Sequence, residues 1–312
     1  MRSIDAEDEG IALAGGVSSD IRIVASPEGR CVIKRALPRL RVEAEWYADP
    51  VRSSIEVRAL RAIADLIGQA HVPKVLWVDA ERHRFAMELI PPRLRNWKEQ
   101  LMRGEVDLST ARASGRLLGK LHRRSAAAPG LAAEFADTGP FDELRVRPYF
   151  ARVAERNPAL APTINRVVDE LQRSASALVH GDYSPKNLLA DGDEIVILDC
   201  EVAHWGDARF DIAFCTTHLL LKAFRRDAPS ILLLCAALAF LAEYRKAGLD
   251  VLDIRFARQL GCLLLARLEG DSPVDYLADV NAGVVKAFAT DLLLDPPASV
   301  EACLRELARE PR

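Results

Sequence analysis

Pro91 and Pro92 stand side by side where the character of the chain changes. Neither offers a backbone N–H, and each fixes φ at about −65°, so a strand or helix that reaches this point must end. Upstream, short runs rich in β-branched residues alternate with turn residues; downstream, long stretches carry apolar residues at helical spacing. The expected fold is α+β and two-lobed. Residues 1–91 would form a small antiparallel sheet with one helix and the connection between lobes, and residues 92–312 a larger, mainly helical part. A chain of 312 residues, half of them hydrophobic, can bury one large core or two moderate ones.

Local patterns set the elements. Residues 21–34 read as a hairpin turning at 26–29 and ending on Lys34, and residues 75–78 and 84–87 as a second hairpin with Asp79, Ala80 and Glu81 at its turn. Between them Ile55, Leu60, Ile63 and Ile67 predict a helix over 53–67 that crosses the sheet. Beyond the prolines, Asp107 is placed to cap a helix running to about Arg124. Further helices are expected at 162–174, 211–224, 230–247, 254–269 and 273–293, interrupted by a short hairpin ahead of Asp199.

Composition narrows the function. A formal charge of −3 leaves no basic surplus for a nucleic-acid surface. The longest apolar run, 231–242, falls short of the roughly 20 residues of a membrane span, so it reads as a core helix with no membrane partner. The first ten residues are acidic and lack a signal peptide's apolar stretch, which predicts a cytoplasmic location. Six scattered cysteines without Cys-x-x-Cys spacing support neither a disulfide framework nor a zinc site.

The chemistry is concentrated at 179–187, Val-His-Gly-Asp-Tyr-Ser-Pro-Lys-Asn, followed by Ile-Leu-Asp at 197–199. Phosphoryl transfer from ATP needs a carboxylate to hold the acceptor hydroxyl, an amide oxygen for one Mg2+ and a second carboxylate for the bridging metal. Asp182, Asn187 and Asp199 supply them in that order, with Asn187 five residues after Asp182. Lys186 would neutralise charge on the transferred phosphate, or else be a solvated loop lysine. His180 is read as organising the loop by hydrogen bonding rather than as the base.

Gly15, Gly16, Ser18 and Ser19 precede the first hairpin, where glycines let backbone N–H groups approach phosphates. Lys34 ends the apolar run Cys-Val-Ile-Lys. It is either an edge-strand charge or a point charge on the α and β phosphates, held by a helix carboxylate. Glu56 is the candidate partner, with Glu43 and Glu45 as rivals. Met87, Glu88, Leu89 and Ile90 would offer backbone groups to the adenine. The cofactors expected are ATP and Mg2+, and the partner a small molecule with a hydroxyl.

With these residues the chain resembles the aminoglycoside phosphotransferase and choline kinase family, within the protein-kinase-like fold. The resemblance rests on Gly15, Gly16 and Ser18, on Lys34, on Met87-Glu88, on His180-Gly181-Asp182 with Asn187, and on Leu198-Asp199-Cys200-Glu201. Asp211, in Arg-Phe-Asp-Ile-Ala, matches the aspartate that braces the family's catalytic loop, and it also reads as a helix N-cap. A closer, partial resemblance is to methylthioribose kinases, carried by Ile33-Lys34-Arg35-Ala36-Leu37-Pro38 with Arg41 and Trp46, and by the run from Leu198 through Gly206 to Ile212. The chain departs from those kinases in its Tyr-Ser-Pro-Lys-Asn loop and in having Ala266-Arg267 where they carry paired arginines.

The resemblance implies transfer of the γ-phosphoryl group of ATP to an aminoglycoside-, choline- or sugar-like hydroxyl, with a methylthioribose-kinase-like sugar kinase as the alternative. A non-catalytic nucleotide-binding regulator is opposed by the intact Lys34, Asp182, Asn187 and Asp199, and a protein kinase by the lack of an Ala-Pro-Glu segment after Asp199. Glu201, His204, Arg267, Asp271 and Tyr276 are the expected acceptor-pocket residues; Arg267 reads more readily as a helix-surface arginine.

Overall fold

The computed structural model describes residues 10–13, 18–26, 29–41 and 46–309. Its first part is an antiparallel sheet of β1 (Ile11–Ala12), β2 (Ser19–Ser26), β3 (Gly29–Ala36), β4 (Val75–Asp79) and β5 (Arg84–Glu88), in the order β1-β2-β3-β5-β4. Both expected hairpins are present, and β3 is paired on both sides, with Lys34 between Ile21 and Phe85. Lys34 is therefore a central-strand residue, 3% exposed, and the edge-charge reading is set aside.

Helix α1 (Arg52–Ile67) follows β3 and ends at Gly68, whose φ of +114° costs a side-chain-free residue little. Its apolar face, Ile55, Ala59, Leu60, Ile63 and Ile67, joins the large helical core rather than the small core of Val24, Cys31, Ile33 and Ala86 within the sheet. Glu56 is buried with that face.

Past the prolines come β6 (Arg95–Asn96), α2 (Trp97–Met102) and α3 (Leu108–Ala126). The Asp107 carboxylate accepts from Ser109 N at 2.8 Å, the expected cap. Short turns α4 (Leu131–Glu134) and α5 (Gly139–Phe141) lead into a π-helical segment, Asp142–Ala151, then α6 (Arg152–Arg156) and α7 (Ala161–Arg173). Strands β7 (Ala177–Val179), β8 (Leu188–Asp191), β9 (Glu194–Ile197) and β10 (His204–Gly206) form two small sheets, β10-β7 and β6-β8-β9. Helices α8 (Arg209–Ala223), α9 (Ser230–Ala247), α10 (Ile254–Glu269), α11 (Ala282–Leu294) and α12 (Val300–Arg309) complete the chain. Helices α3 and α9 touch closely enough that a Cβ on Gly115 would meet the Phe240 carbonyl.

Three expectations need correction. The helix expected over 273–293 begins only at Ala282, because the backbone before it is engaged elsewhere: Arg226 N donates to Asp279 O, and Val280 bridges to Arg225. Asp211 does not cap α8; the helix starts at Arg209, with Ala208 at the cap position. The apolar run 231–242 is not wholly buried, since Ile231 and Leu232 are exposed. Among the described residues, no helix is long and apolar enough to cross a membrane.

Candidate active site

The loop after β7 is built around a buried carboxylate. Asp211, in the first turn of α8 and fully buried, accepts from the backbone N–H of His180 at 2.7 Å and of Gly181 at 2.8 Å, and contacts His122 Nε2 at 3.2 Å. Burial alone would raise its pKa, but the His122 hydrogen bond and charge, aided by His180, hold it below the usual carboxylate range. Gly181 has φ +77°, and a Cβ there would lie 2.8 Å from the Val202 carbonyl oxygen, so the turn requires glycine. His180 Nδ1 accepts from Asp182 N at 3.1 Å, which leaves Nε2 to donate to Leu198 O at 3.0 Å. The ring thus links the loop to the end of β9 with both nitrogens occupied.

Asp182 is held from two directions. Asn187, at the end of a 3-10 turn, donates Nδ2 to the Asp182 Oδ2 at 2.7 Å and to its carbonyl at 3.0 Å. Arg145, from the π-helical segment, approaches the same Oδ2 at 3.1 Å and donates to Gly181 O and Leu144 O. Burial would lower the Arg145 pKa; the charges of Asp182, Tyr149, Glu201 and Asp199 together outweigh it and shift it upward. Sequence reasoning missed Arg145, because an arginine in a proline-containing stretch carries no motif.

Asp199 leaves β9 in the left-handed region, φ +63°, unusual for a residue with a side chain. Lys34 Nζ lies 2.5 Å from Asp199 Oδ1 and within 2.8 Å of both Glu56 oxygens. Burial would raise Asp199, but the charges of Lys34 and then Lys186 hold it well below its ordinary range. Burial pushes Glu56 up to about 7; Lys34 opposes this, and the charges of Asp199 and Glu201 add to it. Glu201 is bound by Arg52 Nε at 3.1 Å, and Arg52, fully buried, also donates to Ser18 O, Leu37 O, Ala48 O and Asp49 O. Arg52 was the second residue missed: at a helix start it reads as solvated.

Glu56, Asp199 and Glu201 bring carboxylate oxygens within 4.8 Å of one another. Asn187 Oδ1 and Asp199 Oδ2 carry no hydrogen bond among the described residues. An amide oxygen and the free oxygen of a carboxylate held ionised suit a divalent cation such as Mg2+.

Asp199 and Glu201 open on a cleft of about 620 Å³. Ser18, Asp182, Lys186, Asp199 and Glu201 line it together with Arg267 and Asp271. Lys186 is exposed in this wall, whereas Arg267 is half-buried and bonded to Tyr149 OH and Ser272 Oγ, so it is not a plain helix-surface arginine. Arg41 and Trp46 also line the cleft. Lys34 meets both Asp199 and Glu56, but Ser19 is buried beside β3 with its hydroxyl unpartnered among the described residues. Met87 and Glu88 end β5, and with Leu89 and Ile90 they lie outside the lining of this cleft. Gly15, Gly16, Glu43 and Glu45 fall outside the described residues.

Two expected pocket residues lie elsewhere. Pairing of β10 with β7 turns His204 into the core, where it stacks at 4.0 Å on Phe141, bonds Val202 O, and is held below its ordinary pKa by burial. Tyr276 is buried behind the cleft, its hydroxyl 3.2 Å from Lys222 Nζ.

The chain is similar to known proteins. The chain is 27% identical over 234 residues to a methylthioribose kinase of Escherichia coli and 28% over 228 residues to one of Bacillus velezensis, covering 65% and 63% of this chain. It spans only about half the length of these relatives, 55% and 56%. Among solved structures, the amicoumacin kinase hAmiN in complex with AMP-PNP, Ca2+ and Ami superposes with a TM-score of 0.60 at 12% identity, covering 95% of this chain and 91% of that one. A choline/ethanolamine kinase family protein from Mesorhizobium loti follows at 0.50 and 16%, covering 97% and 94%. At such identities the likeness is one of fold, the two-part protein-kinase-like α+β architecture. Residues 9–268 match the phosphotransferase enzyme family (APH), and the chain belongs to that family.

Proposed function

We propose that the chain is an ATP- and Mg2+-dependent phosphotransferase that moves the γ-phosphoryl group to a hydroxyl of a small molecule. The observation that carries this reading is Lys34, bound at once to Glu56 and Asp199, with Asp199 and the Asn187-bound Asp182 lining one cleft. In this reading residues 1–91 and 92–312 act as two lobes with the nucleotide between them, and residues 87–90 connect them beside the adenine. Lys34 faces the nucleotide phosphates, while Asn187 and Asp199 hold the divalent cation. That cation, when bound, neutralises charge on the phosphates.

Asp182 orients the acceptor hydroxyl, and its two clamps matter because a loose phosphoryl transition state rewards positioning more than basicity. Lys186 and Arg145 place positive charge where the transferred group passes. The complex of hAmiN with AMP-PNP and Ca2+ supports a nucleotide and a divalent cation on this fold. A second reading, a methylthioribose-like sugar as acceptor, is favoured by the methylthioribose kinases among the relatives.

The test is ADP release from ATP and Mg2+ with aminoglycosides, choline, ethanolamine, methylthioribose and related sugars. Acceptor-dependent release that disappears in Asp182→Ala and Asp199→Ala is the expected result. Undiminished release in Asp199→Ala would sink the proposal.

A further inference from the structure

We propose that the acceptor carries an oxyanion, a carboxylate or a phosphate, received in the cleft by Arg267 with Tyr149 and Ser272; this deepens, and rests on, the phosphotransferase reading.

The charges that line the cleft are almost all matched. Among the described residues, Asp182 is paired with Arg145, Asp199 with Lys34, Glu201 with Arg52 and Asp271 with Arg152. Arg41 is paired with Asp20. Lys186 is exposed and makes no ion pair among the described residues, and Arg267 differs from both groups: its Nη1 donates to two neutral oxygens, Tyr149 OH at 2.9 Å and Ser272 Oγ at 3.0 Å, and its Nε is buried with no partner among the described residues. A half-buried guanidinium with a desolvated Nε and no counterion among the described residues is incompletely satisfied in the free protein, and a planar oxyanion matches its donor geometry.

The neighbouring groups leave the field around Arg267 positive. His218, also in the wall, is pushed well below its ordinary pKa by burial and then by the charges of Arg267, Lys222, Lys98 and Lys186, so the field there is positive. The nearby Asp275 is taken up by Lys98 at 2.7 Å. Arg145 and Arg267 lie 5.7 and 5.5 Å from the centre of the same Tyr149 ring. One of them holds Asp182, and the other is free for an anion. The acceptor therefore needs its hydroxyl and its oxyanion at a spacing that Tyr149 sets, with a carbon frame suited to the aromatic walls of Tyr149, Phe214 and Trp46. A polycationic acceptor would meet Arg267 unshielded.

The experiment compares matched acceptors: 4-(hydroxymethyl)benzoate and glycerate against their amides, and glycerol 3-phosphate against glycerol. ADP release should give the anion a kcat/KM at least tenfold above its neutral congener, with the larger of the carboxylate and phosphate ratios naming the oxyanion. The preference should collapse to parity in Arg267→Met and return in part in Arg267→Lys, which keeps the charge. In parallel, benzoate and phenyl phosphate, but not benzamide, should bind saturably to the wild type and not to Arg267→Met by calorimetry. Neutral acceptors used as well as anionic ones, or a preference that survives in Arg267→Met, would overturn the inference while leaving phosphoryl transfer intact. Arg267-dependent anion binding with no acceptor consumed would instead support the anion site and overturn the transfer reading.

Discussion

Arg145 touches the Asp182 carboxylate at 3.1 Å and, through Nε, the carbonyl of Gly181 at 2.8 Å, so one guanidinium fixes both the carboxylate and the backbone that carries it. Arg145→Met would leave Asp182 held by Asn187 alone. Because a misplacement of about 1 Å can cost a reaction about 100-fold, kcat should fall by about 10- to 100-fold. Arg145→Lys restores the charge but not the two-point grip and should recover only part of it. Steady-state kinetics with an acceptor identified by the ADP screen, on variants shown to be folded by circular dichroism, checks this. A kcat within twofold of wild type in Arg145→Met would exclude the clamp.

Asp211 makes the same loop dependent on a carboxylate that no substrate reaches. Asp211→Ala strips two backbone N–H groups and His122 of their acceptor, each at a cost of about 1–3 kcal/mol when buried. Asp211→Asn keeps one acceptor oxygen. Thermal unfolding should rank wild type above Asp211→Asn and Asp211→Asn above Asp211→Ala; equal melting temperatures for all three would contradict the brace.

Glu56 predicts a pH dependence. Its carboxyl is pushed from 4.5 to about 7 by burial, against the pull of Lys34. Between those values the folded chain keeps a proton that the unfolded chain has lost, so this group's contribution to stability falls as pH rises through the window. Asp199, shifted the other way, acts below its ordinary 3.8 and leaves the window to Glu56. From about pH 5 to about pH 7.5, wild type should lose more stability than Glu56→Gln in urea unfolding. Parallel curves would refute the shift.

What the sequence disclosed depended on how local the encoding is. The hairpin turns, the Asp107 cap and the helices Ser230–Ala247 and Ile254–Glu269 follow from near neighbours, and the structure has them at the expected places. The spacing from Asp182 to Asn187 and the strand before Asp199 are local as well, so those residues could be placed before any contact was known. Arg145 and Arg52 were not legible. Arg145 lies in a π-helical stretch interrupted by Pro148, where no regular apolar period survives, and Arg52 is buried because the remote Ser18 and Leu37 carbonyls and Glu201 converge on it together with the nearby carbonyls of Ala48 and Asp49. His204 and Tyr276 failed as pocket residues because proximity in sequence to the Asp199 segment or the last helices says nothing about which way a side chain faces.

Lys222 sets a second pH dependence, of opposite sign. It is fully buried in α8, its Nζ donating to His218 O at 3.1 Å and to Tyr276 OH at 3.2 Å, and among the described residues it has no carboxylate within ion-pair distance. Burial, then the charge of Lys98, lowers its pKa from 10.5 to about 7. Across that range the unfolded chain holds a proton that the folded one has shed, so stability from this group rises with pH, and below it the folded state carries the full cost of a buried charge. Lys222→Met removes the charge at similar length. Its melting temperature relative to wild type should therefore be highest below about pH 7 and should decline steadily toward about pH 10. A difference that does not vary with pH would mean that Lys222 is charged throughout, and that the floor beneath His218 has an anion the described residues do not supply.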